Sequence, residues 1–302
     1  MKDPILIKDP TVIILAGPTA VGKTAAAIRL AEQLSTRIIS ADSRQCFFEL
    51  NIGVARPSPA ELQAVPHYFI ASHSVHEEVT AAVFEECSLG WAGEILSEKK
   101  VAVMVGGTGL YIKAFTEGLD EIPAIDPAIR AEVQRAYEEQ GIAWLQEQIR
   151  QLDPAYFAEG EILNPQRLMR ALEVRQATGQ SILSFRTRQK KERPFSIMKI
   201  GLELPRQELY ERINRRVDQM MEAGLLEEVK SLLPFRHLNA LQTVGYKELF
   251  DHLDGKVSLE EAIELIKKNT RHYAKRQMTW FRKDPAIQWV DVREFNPIII
   301  LP

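Results

Sequence analysis

Only two of the 302 residues are cysteine, Cys46 and Cys87, and neither sits in a C-x-x-C or Cys/His spacing. That excludes a disulfide-stapled fold and suits a reducing compartment. Long apolar runs are missing as well. No stretch approaches the roughly 18 residues a membrane span needs, and Asp3 and Asp9 interrupt the N-terminal segment MKDPILIKDP where a signal peptide would carry its apolar core. A cytoplasmic monomer without membrane contact is the expectation. Histidine is sparse too: His73 and His76 lie three apart without a third ligand, and Ser43 has no histidine partner to suggest nucleophilic catalysis. Aromatics make up 8% against 45% hydrophobic and 26% charged residues, ordinary globular usage that excludes collagen-like and disordered chains.

Excess charge is also lacking. The net charge of -3 argues, taken alone, against a nucleic-acid partner, because phosphates need local positive charge. The halves disagree, however. Residues 1–150 carry 13 Lys and Arg against 20 Asp and Glu, whereas residues 151–302 carry 25 against 21. A phosphate-bearing macromolecule would meet the second half. The length, about twice the roughly 150 residues of a typical single core, suggests two lobes.

Thr11 to Ala16 (TVIILA) is a short β-branched run suited to a buried parallel strand. Gly17, Pro18, Thr19, Ala20, Val21, Gly22, Lys23 and Thr24 follow, then a helix-forming stretch from Ala25 to Leu34. This is the G-x-x-x-x-G-K-[ST] phosphate loop in its strand–loop–helix context. Its glycines let backbone N–H groups surround phosphate oxygens at a helix N-terminus, Lys23 neutralises charge, and the Thr24 hydroxyl is a ligand for Mg²⁺. Kinases, hydrolases and other diphosphate-handling enzymes all use such a loop, so it names no reaction.

Two more strand ends point to the same place. Arg37 to Ala41 reads as a strand running into Asp42, Ser43, Arg44 and Gln45, and Val101 to Val105 as a strand running into Gly106-Gly107-Thr108-Gly109. Ligands in open α/β sheets gather beyond the carboxyl ends of the strands. Asp42 there is a Mg²⁺ ligand or a general base, unless it merely caps a turn. The glycines would let backbone approach a ligand, and Thr108 would bond a phosphate or ribose hydroxyl.

In order along the chain, GPTAVGKT (17–24), DSRQ (42–45), IGVARPSPAEL (52–62), VPHYFI (65–70), GGTGLYIKA (106–114), NPQRLMRALEV (164–174), ERINRRVDQMMEAGLLEEV (211–229), TVGYKE (243–248) and AKRQMTWFR (274–282) resemble the motifs of the tRNA dimethylallyltransferases, or tRNA isopentenyl-pyrophosphate transferases. The resemblance spans nearly the whole chain. It implies transfer of a dimethylallyl group from dimethylallyl diphosphate to the exocyclic amine of the adenosine beside the tRNA anticodon. Between Glu117 and about Phe195 strand signals stop, and Pro127 to Gly141, Ile142 to Leu152 and Pro165 to Gly179 have helix-compatible composition, which reads as an all-helical insertion. The expected fold is therefore α/β: a parallel sheet core over 1–117 and 197–302, P-loop NTPase-like, with the helical insertion over 118–196, for which the resemblance implies contact with tRNA. The resemblance also places Thr19 near the leaving oxygen and one arginine of Arg212, Arg215 and Arg216 on the pyrophosphate, Arg216 being favoured. Contact with tRNA is implied for Asp42, Ser43, Arg44, Gln45 and Thr108, for Gln166, Arg167, Leu168, Met169 and Arg170, and for Gln242, Thr243, Val244, Gly245, Tyr246 and Lys247.

The chemistry of the residues agrees. An allylic diphosphate ionises as it reacts, so catalysis stabilises charge on the leaving oxygens, which the loop amides, Lys23 and Mg²⁺ can do. Asp42 is the candidate base for the amine proton, and Gln45 suits the adenine edge. The chain departs from the family at Phe47, Asn51 and Val54, where a Tyr and an Asp-Ile-Gly-Thr-Ala pattern are usual, and at Ala71. Local hydrogen bonding there should differ.

Two basic stretches remain. Residues 186–193 hold five basic residues and one acid; 267–283 hold seven and no acid, with Tyr273, Trp280 and Phe281 interleaved. Each is either a solvated or packed face, or a grip on phosphates with stacking platforms for unpaired bases. Two rival functions stand beside the transferase: a small-molecule P-loop kinase, which lacks an evident arginine-rich lid here, and a non-catalytic tRNA-binding module, disfavoured by intact Lys23, Thr24 and Asp42.

Overall fold

In the computed structural model, residues 5–7, 9–187, 189–297 and 300–301 are described; Asp3 and Arg188 lie outside them. A two-stranded pair joins β1 (Ile5–Leu6) to β8 (Ile300–Leu301). The main sheet has six parallel strands, β2 (Thr11–Ala16), β3 (Ile38–Ala41), β4 (His67–Tyr68), β5 (Val101–Gly106), β6 (Ser196–Glu203) and β7 (Ile287–Asp291), in the order β4-β3-β5-β2-β6-β7.

Every residue of β2 and β5 is buried, as expected of strands covered on both faces. Alternate side chains serve opposite cores. Val12, Ile14 and Ala16 face one cluster with α3 (Ala81–Glu98), α4 (Gly109–Glu117), α9 (Leu225–Ser231), α10 (Tyr246–Leu253) and much of α11 (Leu259–Phe281). Ile13 and Leu15 face the other, with α1 (Lys23–Gln33) and α8 (Arg206–Glu222). No helix among the described residues is long and apolar enough to cross a membrane.

The chain divides into two compact units, residues 1–116 with 192–302, and residues 117–191. The second is helical: α5 (Pro127–Leu152), α6 (Pro154–Glu159) and α7 (Pro165–Thr178) close over their own core of Val133, Leu145, Ile149, Tyr156, Leu168 and Leu172. The helices expected over 127–141 and 142–152 are the two arms of α5, separated where Gly141 takes φ 75° and ψ -170°. The sequence reading missed α6, which starts at a Pro behind the N-cap Asp153.

The sheet unit resumes before residue 196, because Arg193 is already part of it. Its guanidinium donates to the carbonyls of Phe115 (2.7 Å) and Ala114 (2.9 Å) and pairs with Glu85 (2.8 Å). It thus caps the last turn of α4, where carbonyls have no helical partner. Of the basic run 186–193, this residue is packed structure and not a solvated face.

Candidate active site

Three strand ends converge on the site. Behind β2, Gly22 takes φ 105° as N-cap of α1, a conformation that costs glycine least, so Lys23 and Thr24 open the helix. The Lys23 ammonium folds back to donate to the Pro18 carbonyl (2.8 Å). Over the loop lies a cavity of about 220 Å³ lined by Thr19, Lys23, Thr24, Asp42, Glu61 of α2 (Pro59–Ala64) and Arg216 with their neighbours. Burial lowers the Lys23 pKa to about 8; the Asp42 charge opposes the shift and the Arg216 charge adds to it. Burial also lowers Arg216, against the Asp42 and Glu61 carboxylates. Two crowded cations in one cavity are complementary to a polyanion.

The helical period of α8 separates the three candidate arginines. Arg216 lines this cavity. Arg212 turns to Glu208 (3.1 Å) and the Val21 carbonyl (3.5 Å), and Arg215 is exposed.

A second cavity of about 120 Å³ shares Thr19, Asp42, Val54, Ala55, Arg216 and Tyr273 with the first and continues into apolar side chains, among them Ile213, Val217, Met220, Leu225 and Ile266. A third, of about 510 Å³, brings together Ser43, Arg44, Gln242, Thr243, Val244 and Lys247 with Asn269 and Arg276. Tyr273 lines all three, and its ring takes the Arg276 guanidinium at 5.8 Å. Burial, then the Asp42 charge, raises its phenol to about 12 against Arg44 and Arg276 and a Gln277 hydrogen bond, so it stays protonated. Sequence reasoning offered Tyr273 only as a stacking platform; its i, i+4 spacing to Gln277 and Phe281 was the signal for a shared inward face.

Asp42 is locked in place. Its Oδ1 accepts from the backbone N–H of Arg44 (2.9 Å) and Gln45 (3.2 Å). The Thr108 hydroxyl accepts from Ser43 N–H (3.1 Å), and Thr108 N–H donates to the Ala41 carbonyl (3.2 Å). Thr108 therefore fixes the loop that carries Asp42. Gln45 is partly committed as well: its amide Nε2 donates to the carbonyls of Val54 (3.1 Å) and Ala55 (3.0 Å), which holds the cavity wall.

The same wall is braced by a residue the sequence reading missed. Glu228 on α9 accepts from Ile52 N–H (2.7 Å), Gly53 N–H (3.0 Å) and the Tyr246 hydroxyl (2.6 Å). Tyr246, one of the expected tRNA contacts, is 0% exposed, so its side chain is core. Leu168 and Met169 are likewise buried in the helical unit, at 0% and 3% exposure, because they sit on the inward stripe of α7. Gln166, Arg167 and Arg170 remain on that helix; Arg167 pairs with Glu161, and Arg170 with Glu173 at 3.3 Å. Gly245 N–H is used within the protein, donating to Glu248.

Gly106 lines the cavity over the phosphate loop, and the two glycines beyond it serve packing. A Cβ on Gly107 would come within 2.3 Å of the Gln277 amide, and one on Gly109 within 2.2 Å of the Trp280 ring. Helix α11 thus lies against this turn. Phe281 is 2% exposed and belongs to the core, whereas Trp280 and Tyr273 are partly open. At the departures from the family pattern, Phe47 is buried and Arg56 binds the carbonyls of Phe47 (2.9 Å), Phe48 (3.0 Å) and Leu50, so backbone contacts hold that loop. Ala71 N–H donates to the Gln45 carbonyl (2.9 Å), a bond that needs no side chain.

Among the described residues no cluster of three His, Cys, Asp or Glu side chains is arranged for a metal ion. Magnesium held mainly by diphosphate oxygens and water needs few protein ligands, all of them oxygen. Thr24 and Asp42, oxygen donors on one cavity, fit that demand.

Residues 45–284 match the family described as IPP transferase. The chain is 50% identical over 290 residues to tRNA dimethylallyltransferase 1 of Bacteroides thetaiotaomicron, covering 96% of this chain and 94% of that protein. It is 51% identical over 282 residues to tRNA dimethylallyltransferase of Christiangramia forsetii, covering 93% of each. Among solved structures, the full-length tRNA isopentenylpyrophosphate transferase of Bacillus halodurans superposes with a TM-score of 0.68 at 38% identity, over 94% of this chain and 90% of that one. A eukaryotic dimethylallyltransferase acting on tRNA gives a TM-score of 0.75 at 26% identity, over 94% and 74% respectively.

Proposed function

The chain belongs to the IPP transferase family, and from that membership we propose that it moves a dimethylallyl group from dimethylallyl diphosphate to the N6 amine of the adenosine beside the tRNA anticodon. It is a tRNA prenyltransferase. The relatives lend no support to a small-molecule kinase.

One observation carries the substrate reading: a cationic cavity and an apolar pocket share Asp42, and Tyr273 joins both to a polar cavity that begins at Ser43 and Arg44. The three suit a diphosphate, a five-carbon chain and a nucleoside in turn. The diphosphate lies on the loop amides, Lys23 and Arg216, with Thr19 toward the bridging oxygen. Magnesium, when bound, would be held by Thr24, with Asp42 on the same cavity, and would neutralise diphosphate charge.

The N6 lone pair forms the new C–N bond as the allylic C–O bond breaks, and that electron pair leaves on the diphosphate. Lys23 and Arg216 stabilise this charge from the cavity wall. The amine becomes acidic only as it attacks, and the proton it sheds passes to Asp42. The adenosine must leave its stack, at a cost of a few kcal/mol in a single-stranded loop. Ser43, Arg44, Gln242, Thr243 and Lys247 line the cavity that would receive it. The helical unit, through Gln166, Arg167 and Arg170, supplies further tRNA contact, and the enzyme works as a cytoplasmic monomer.

The test is incubation with radiolabelled dimethylallyl diphosphate and unmodified tRNA. Label in the tRNA and stoichiometric pyrophosphate are expected. ATP turnover without label transfer would restore the kinase, and tRNA binding without either reaction would leave a binding module.

A further inference from the structure

Gln277 on α11 is 7% exposed, and its amide is held from both ends. Its Oε1 accepts from Thr19 N–H in the phosphate loop (2.8 Å), and its Nε2 donates to the Gly107 carbonyl behind β5 (2.9 Å). A backbone N–H can only donate and a carbonyl only accept, so these partners fix which way the amide faces. They lie 258 and 170 residues away in sequence, on two different strand ends.

What hangs on each partner gives the contact its meaning. Thr19 lines both the cationic and the apolar cavity. Gly107 leads into Thr108, whose hydroxyl and N–H hold Ser43 and Ala41 on either side of Asp42. One primary amide therefore references both the group that holds the donor and the group that receives the proton.

We propose that Gln277 is a positioning residue for the transfer: it sets the separation between the phosphate loop and the Asp42 loop, and so aligns the allylic carbon, the amine and the base. This rests on the prenyltransfer reading above. Reaction geometry is steep in distance, since a misplacement of about 1 Å costs on the order of 10²-fold in rate. Thr19 N–H is already taken by Gln277, so affinity for diphosphate depends on Lys23, Arg216 and the remaining loop amides and should change much less. Glutamate at this position offers a sharper probe. Protonated, it accepts from Thr19 and donates to Gly107 as glutamine does; ionised, it cannot donate and faces a carbonyl oxygen.

Two variants test the proposal at a temperature where circular dichroism shows both folded. In Gln277→Met, single-turnover prenyl transfer is expected to fall by roughly 30–100-fold, while pyrophosphate affinity by calorimetry stays within about threefold. In Gln277→Glu, the rate relative to the unsubstituted enzyme should rise as pH falls and the carboxyl protonates. Lys23, Asp42, Glu61, His67, Arg216 and Tyr273 line the same cavity as Gln277, so pyrophosphate affinity is followed over the same pH range, and a rate ratio that rises while the affinity ratio stays flat reports positioning. A purely structural glutamine would leave the rate of folded enzyme within about threefold, or the rate ratio flat with pH, and either result overturns the proposal. So would a loss of pyrophosphate affinity equal to the loss of rate. Failure of the unsubstituted enzyme to transfer prenyl at all would instead overturn the functional reading.

Discussion

Replacing Arg193 by methionine should destabilise the sheet unit without weakening its grip on tRNA. The Arg193 and Glu85 side chains are 9% and 13% exposed. The guanidinium also serves two carbonyls in the last turn of α4. Replacing the guanidinium breaks a buried ion pair and two carbonyl hydrogen bonds together, at about 3–5 kcal/mol. In a unit of this size each kcal/mol moves the melting temperature by about 2–4 °C, so the expected drop is roughly 6–20 °C. Urea and thermal unfolding measure it, with filter binding to tRNA at low temperature as the companion assay. Glu85→Gln should cost less, because the neutral amide still accepts from Arg193. In the double variant the two losses should not add. A loss below about 1 kcal/mol, or reduced tRNA affinity at unchanged stability, would refute the assignment and return Arg193 to the phosphate-gripping reading.

Asp42→Asn should lower single-turnover transfer by about 10²–10⁴ while tRNA affinity by filter binding hardly changes; full activity would remove Asp42 as the base. Lys23 carries its charge below about pH 8 and loses it above. Pyrophosphate affinity should therefore weaken as pH rises through that value, relative to Lys23→Arg, which holds its charge throughout; parallel profiles in calorimetry would contradict this. Arg216→Gln should weaken pyrophosphate binding by roughly 10–100-fold, the worth of a charge-assisted hydrogen bond, whereas exposed Arg215→Gln should stay within about twofold; the reverse order would exchange their roles. The tRNA affinity should fall steeply with salt between about 50 and 200 mM, as counterion release requires, and a flat dependence would argue against phosphate contacts.

The strands and the phosphate loop were legible because their signals are local. TVIILA and VAVMV are apolar runs of strand length, and Gly17 to Thr24 sits between a strand and a helix, so neighbouring residues suffice to read them. The helical insertion was legible for the same reason, through its loss of strand patterning. Individual contacts were harder to place. Leu168, Met169 and Tyr246 stand inside segments that resemble tRNA-contacting blocks, yet helix rotation turns them inward. The short strand β4 and the brace from Glu228 to Ile52 and Gly53 depend on partners far along the chain.

The sequence by itself determined the family, the parallel α/β core and the chemical types at the site: a phosphate loop, a carboxylate at a strand end and basic residues concentrated in the second half. The tertiary structure decided which of these meet. Arg216, and not Arg212 or Arg215, reaches the cavity of Lys23 and Asp42; Gln45 and Thr108 brace loops; Arg193 caps a helix; and Gln277 joins two strand ends. The physical reason is that a side chain's partner is set by helix rotation and sheet order, which bring together residues hundreds of positions apart. A motif fixes which groups are present, and packing fixes the few ångströms that give each its task.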